Sequence, residues 1–564
     1  MIDDKQLKKI LSDLEIIPAE ELDLAEGEAK IKKQPLGEIL VEKDLISDKH
    51  LGQIIADFIN FPFVSLKNEN IPDNVLKIVP EAMARKQRAV AFREEDGTIH
   101  LAMSDPTDIE IIRLISKKTA KEVIPHFATD KDITGALDRY RTDIKKEFSE
   151  ILKESVAELE QVTENIEKGA LEVPVVNLTS YILRNAYESN ASDIHIEPHE
   201  KLSLLRYRID GVMHDIASLP RNVHDLLVAR LKILAKLKTD EHFAAQDGKI
   251  RETLDSETVD IRVSVMPIVE GEKVVMRLLA ERGKSFNLEN LGLEKEDYEK
   301  IEKAAREPWG MILATGPTGC GKSTTLYSIL KMLNTRDINI CTIEDPVEYD
   351  IEGTNQIQVN PKTNLTFANG LKSIIRQDPD VILVGEIRDE ETANIAVNAA
   401  MTGHLLLSTL HTNDAATTLP RLLEMRIEPF LVASTVNLII AQRLVRKICS
   451  KCIVSYTADQ VELKRRLPPA VFNKYFGKAK TIRFYKGKGC PACRNTGYLG
   501  RIGIFEILTM KNNIRELIMK KANAEDIENL SVKNGMATMF EDGIKKVING
   551  KTTLDEVLGA VREL

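Results

Sequence analysis

The chain of 564 residues has no long hydrophobic run, and no uninterrupted apolar stretch approaches the ~20 residues needed to cross a bilayer. Its first residues, MIDDKQLKKILSDL, are acidic and amphipathic and do not resemble a secretory signal. A cytoplasmic protein with at most peripheral membrane contact is therefore expected. An excess of positive charge is missing as well: 78 Lys and Arg stand against 87 Asp and Glu, a formal net charge of −9. Nucleic-acid binding needs clustered cations for phosphate, and no strand combines aromatic and basic side chains on one face. No nucleic-acid partner is expected. Cysteines are few, six in all. Cys320 and Cys341 stand alone, and the other four form the pairs Cys449-Ser-Lys-Cys452 and Cys490-Pro-Ala-Cys493. In a cytosolic chain such pairs point to a metal rather than to disulfides. Internal repeats and low-complexity tracts are absent.

What is present is more specific. Residues 316–323 read Gly316-Pro317-Thr318-Gly319-Cys320-Gly321-Lys322-Ser323, a phosphate-binding loop with every required position filled. The glycines let backbone N–H groups turn inward around a phosphate. Lys322 reaches the β- and γ-phosphates, and the Ser323 hydroxyl ligates Mg²⁺. The apolar run 309–315 (WGMILAT) before the loop predicts a strand, and 324–333 after it predicts a helix. That order aims a helix N-terminus at an anion, so a nucleoside triphosphate is expected over Gly316 to Thr324.

Organisation follows from punctuation and period. Residues 1–140 read as an α+β region, with a hairpin over 88–103 turning at Asp96-Gly97. Residues 141–172 are highly charged, with apolar positions at helical spacing, and read as a helical linker. Residues 173–290 form a second α+β domain, beginning with a helix over 175–189. From 291 to 564, short apolar strands at 339–343, 381–384 and 405–410 alternate with helices, the pattern of an α/β domain with a largely parallel sheet.

Those strands carry the remaining chemistry. Val381-Ile382-Leu383-Val384 ends at Gly385-Glu386, and a carboxylate at the tip of a buried strand is placed to hold Mg²⁺. Thr342-Ile343-Glu344-Asp345 supplies Glu344, a candidate for orienting or deprotonating the attacking water. His404 and His411 bracket a further strand and are candidates for sensing the γ-phosphate or coupling to a neighbouring subunit. The two Cys-x-x-Cys pairs, Cys449/Cys452 and Cys490/Cys493, can complete a closed, structural Zn–S₄ site with a helical insert between them.

GPTGCGKS, TIEDPVE, RQDPDVILVGEIRDEETA and TGHLLLSTLHTND together resemble the Walker A, Asp box, Walker B and His box of the type IV pilus assembly and type II secretion ATPases. The resemblance covers residues 173–564 strongly and the first 140 more loosely. It implies a homohexameric ring in which a PAS-like second domain faces a RecA-like motor domain across ATP. It also implies that Arg262 and Arg277 reach the γ-phosphate, with Arg206 and Arg208 as weaker candidates. QRLVRKICSKC and GCPACRNTGYLGRIGIFEIL match the flanks of the family's zinc motif, here 449–493. The implied partner is an inner-membrane platform protein, and the implied work is pilus assembly, with type II secretion as the alternative. The segment 35–51 resembles the start of a domain that binds cyclic di-GMP in some relatives. Here Pro35 replaces the usual Arg, removing a guanidinium partner for phosphate, and cyclic di-GMP binding is not expected.

Overall fold

The structure, a computed structural model, describes all residues except 1–3, 15, 33–34, 44, 68, 70, 96, 138–171, 255–256, 280–286, 478–481 and 563–564. The expected helical linker lies outside the described residues but for its last position. Among the described residues no helix is long and apolar enough to cross a membrane. The chain divides into two compact units, one of residues 1–185 with 488–497 and one of 186–487 with 498–564.

In the first unit, helices Asp4–Asp13, Ala19–Lys32, Leu36–Glu42 and Asp48–Ile59 share a core that includes Leu7, Leu11, Leu22, Ile39 and Leu40. The Ser47 hydroxyl accepts from His50 N and starts the last of these helices. β1 (Ala89–Glu95) and β2 (Thr98–Met103) form the expected antiparallel hairpin, and β3 (Glu122–Phe127) joins β2 in parallel. The expected helix after the linker runs over Glu172–Glu188.

The second unit contains two large sheets. β4 (Ala191–Pro198), β5 (Leu202–Ile209), β6 (Val212–Pro220), β7 (Gln246–Leu254), β8 (Glu257–Ile268) and β9 (Gly271–Leu279) form an antiparallel sheet in the order β6-β5-β4-β9-β8-β7. The larger sheet uses β10 (Gly310–Thr315), β11 (Ile340–Glu344), β12 (Thr354–Gln358), β13 (Val381–Val384), β14 (Leu405–Leu410), β15 (Val436–Ile448) and β18 (Tyr498–Thr509). Its order is β12-β11-β13-β14-β10-β15-β18, parallel throughout except for β18, which is antiparallel to β15. β16 (Ile453–Ala458) and β17 (Ile482–Gly487) form a separate hairpin before the second cysteine pair.

Every residue of β10, β13 and β14 is buried, as a parallel sheet covered on both faces requires. Successive residues serve opposite cores: Met311 and Leu313 join one cluster, Ile312 and Ala314 the other. Asp389 and Asp414 cap the helices that follow β13 and β14, accepting from Thr392 N and Thr417 N.

β18 also carries a buried acid. Glu506 accepts from Ala415 N (2.9 Å) and Met539 N (3.4 Å), the first residues of two helices, yet burial pushes its carboxyl up to about 7. A folded-state value above the unfolded one gives stability that is complete at acid pH and lost as pH rises through 7. Glu506→Gln removes this titration. Thermal unfolding at pH 6 and pH 8 should show the variant gaining on wild type at the higher pH, by about 1–1.5 kcal/mol. An unchanged difference between the two pH values would mean that Glu506 does not titrate in this range.

Candidate active site

β10 ends at Thr315, and the loop from Gly316 carries the chain over the tip of the parallel sheet into the helix Lys322–Leu333. Gly316, Gly319 and Gly321 have φ of +137°, +77° and +93°, backbone that side chains disfavour. A Cβ on Gly316 would stand 2.4 Å from the carbonyl oxygen of Gln442, so only glycine fits there. Lys322 is 8% exposed. Its ammonium donates to the Gly316 and Pro317 carbonyls at 2.7 and 3.0 Å, and burial pulls its pKa below the usual lysine range. Ser323 is exposed. A buried cation turned onto loop carbonyls, an open hydroxyl and a helix N-terminus make a donor set that fits a polyphosphate and Mg²⁺.

The ends of the neighbouring strands supply the acids. Glu386 follows β13, with one carboxylate oxygen 2.6 Å from Arg388 and the other 3.0 Å from His411 Nε2. His411 is the first residue beyond β14, so the structure brings it to Glu386 at the loop end of the sheet. Thr412 N donates to Thr315 Oγ1 at 2.9 Å, tying the end of β10 to this turn. His404 is not brought to the site. Gly310 N donates to the His404 carbonyl, and the His404 ring contacts the Ala399 carbonyl at 2.9 Å. Strand β14 lies between His404 and the loop end of the sheet at His411, a separation of about 23 Å at ~3.3 Å per residue.

Glu344 closes β11 and is 5% exposed. Its carboxylate accepts from the Tyr327 hydroxyl, from Thr342 Oγ1 (2.7 Å) and from Gln356 Nε2 (3.2 Å). Burial and the adjacent carboxylate push the Tyr327 phenol well above its ordinary value, so it stays a donor. The same hydroxyl accepts from Glu348 N at 3.4 Å.

The antiparallel sheet lines up the arginines. Register places Arg208, Asp193, Arg277, Arg262 and Lys249 directly opposite one another on five consecutive strands. Four cations and one anion therefore share a row, and like charges placed opposite one another favour an anion above them. Arg262 rests on Glu348 (3.2 Å) and Arg277 on Asp193 (3.0 Å). Arg206, two residues from the row on β5, pairs instead with Glu197 and Asp215.

Cys449, Cys452, Cys490 and Cys493 each offer a sulfur, and the four sulfurs lie within 4.8 Å of one another. Cys490 and Cys493 are 3.6 Å apart at sulfur, close to the ~3.8 Å edge of a tetrahedron with Zn–S bonds of ~2.3 Å. Cys490 N and Gly497 N both point at the Cys493 sulfur (3.2 and 3.3 Å). The donor set fits a metal ion.

Tyr327, Arg388, Thr412 and Gln442 also reach these groups, although sequence reasoning did not single them out. Gln442 left the clearest trace: it is an uncharged polar residue at the end of the apolar run 438–441 (LIIA), before Arg443-Leu444-Val445.

Comparison with known proteins agrees with this geometry. A family profile described as Type II/IV secretion system protein matches residues 169–559, and one described as MshEN domain matches 59–146, beginning after the Pro35 segment. The chain is 38% identical to the type IV pilus assembly ATPase PilB of Myxococcus xanthus (strain DK1622), over 98% of both chains. It is 37% identical to type II secretion system protein E of Xanthomonas campestris pv. campestris, over 98% of this chain and 96% of the relative. Among solved structures, the Legionella pneumophila ATPase DotB shares the fold, with a TM-score of 0.51 and 21% identity over 69% of this chain and 96% of that one. With the family profile spanning well over half of its residues, the chain belongs to the type II/IV secretion system protein family.

Proposed function

We propose that the protein is an ATP-hydrolysing motor of type IV pilus assembly, working as a hexameric ring on the cytoplasmic side of an inner-membrane platform protein. One observation carries the reading: a complete phosphate loop stands beside the Glu386–His411 pair in a chain aligned end to end with a pilus assembly ATPase. The organisation we assign is an N-terminal docking domain over 1–140, a linker over 141–172, a PAS-like domain over 173–290 and a RecA-like motor domain over 291–564. The antiparallel and parallel sheets of the second unit support the last two.

Bound Mg²⁺ would offset charge on the triphosphate and organise water. The chain's own residues do the rest. Lys322 would leave the loop carbonyls for the phosphates, and Ser323 and Glu386 would hold the cation. Glu344 takes the proton of the attacking water, while His411 and Arg388 keep Glu386 oriented. Arg262 and Arg277 exchange Glu348 and Asp193 for the γ-phosphate, so that nucleotide draws the antiparallel sheet toward the motor sheet, and hydrolysis releases it. A zinc ion on the four cysteines has no open position and serves structure alone.

The relatives named for type II secretion, at 37–43% identity, support a second reading in which the same motor drives protein export. Replacing the chain by its Lys322→Ala form in its host separates the two. The pilus reading expects surface fibres to vanish. Persistent fibres with an exported protein trapped inside the cell would establish the export reading instead.

A further inference from the structure

We propose that Gln442 is a positioning residue that holds the phosphate loop in its anion-binding shape. It lies on β15, the strand next to β10, and is 2% exposed. Both ends of its amide are engaged, one by the loop and one by the helix behind it. Nε2 donates to the Cys320 carbonyl at 2.8 Å, and Oε1 accepts from Thr325 Oγ1 at 2.7 Å. The main chain of the same residue packs against the start of the loop, where a Cβ on Gly316 would meet its carbonyl oxygen at 2.4 Å. At the far end, a Cβ on Gly321 would approach its Nε2 to 3.1 Å. One residue therefore touches the beginning, the end and the following helical turn of the loop. Two of the loop glycines are required, in part, by its proximity.

The consequence is directional. A loop that receives phosphate on its N–H groups must turn its carbonyls away, and each turned carbonyl needs a donor behind it. Gln442 supplies that donor to Cys320. It also fixes the first turn of the helix through Thr325. Because it touches no reacting group, its contribution is to binding that ground state and transition state share. That form of loss raises KM and leaves kcat in place.

The inference rests on the reading of this loop as an ATP site, and the test separates the two. Full-length wild type, Gln442→Met, Gln442→Glu, Thr325→Val and the Gln442→Met/Thr325→Val double variant are titrated with Mg·ADP by calorimetry, and ATP turnover is measured to saturation. Gln442→Met keeps the volume and should weaken ADP binding about tenfold or more, the scale of two buried hydrogen bonds. KM for ATP should rise in step, with kcat within about twofold of wild type. Gln442→Glu keeps the acceptor for Thr325 but sets an oxygen against the Cys320 carbonyl, and it should be at least as impaired. Thr325→Val should lose about threefold alone and nothing further in the Gln442→Met background. If Gln442→Met fails to fold, Thr325→Val carries the test by its own affinity loss. Wild-type affinity in Gln442→Met, or full additivity in the double variant, overturns the proposal. Wild type that binds no nucleotide overturns the ATP reading with it.

Discussion

Lys322→Ala is expected to reduce ATP turnover by at least about 100-fold, the scale of removing one preorganised charge donor from a phosphoryl site. The lysine is buried, and its ammonium donates to the loop carbonyls of Gly316 and Pro317. Burial already disfavours its charge, so a phosphate is a far better partner than those dipoles. Alanine removes the cation without touching either compact core or the cysteine cluster. Metal content and elution volume should therefore match wild type. Turnover within twofold of wild type would refute the role given to Lys322, and loss of metal together with activity would trace the defect to folding.

Glu344→Gln should lower kcat by about 100-fold or more while KM for ATP changes little, as expected when a general base is removed. Glutamine keeps the size of the side chain and can still accept from Thr342, but it cannot take a proton from water. Steady-state kinetics and a thermal melt on the same preparation check this. The three donors from Tyr327, Thr342 and Gln356 sharpen the alternative. A kcat reduced less than about threefold, with a lowered melting temperature, would make Glu344 a structural acid of β11. Glu386 would then be left as the group that orients water.

Much of this site was legible because parallel strands announce themselves. Runs such as VILV and LLLSTL are rich in large apolar residues and buried on both faces, and the loop, Glu386 and His411 sit at their ends. Contacts between distant strands were not legible. The long β15–β18 ribbon runs through residues read only as flanks of the cysteine pairs, and its place beside β10 is what brings Gln442 to the loop. His404 shows the opposite case. Two histidines flanking one strand look equivalent in sequence, yet a six-residue strand puts them at opposite ends of the sheet. The arginines were legible as residues but not as a row. The register of five antiparallel strands lines up Arg208, Arg277, Arg262 and Lys249, and their carboxylate partners are distant in sequence, Asp193 lying 84 residues from Arg277 and Glu348 86 from Arg262.

The central claim is a ring-completed ATPase, and the most direct measurement is ATP hydrolysis across a size-exclusion profile of the purified protein, with zinc quantified in each fraction and Glu386→Ala run beside it. Activity is expected only in a hexamer-sized peak, with about one zinc per chain, and none in the variant peak. Equal specific activity in a monomer peak, or activity that survives Glu386→Ala, would contradict it.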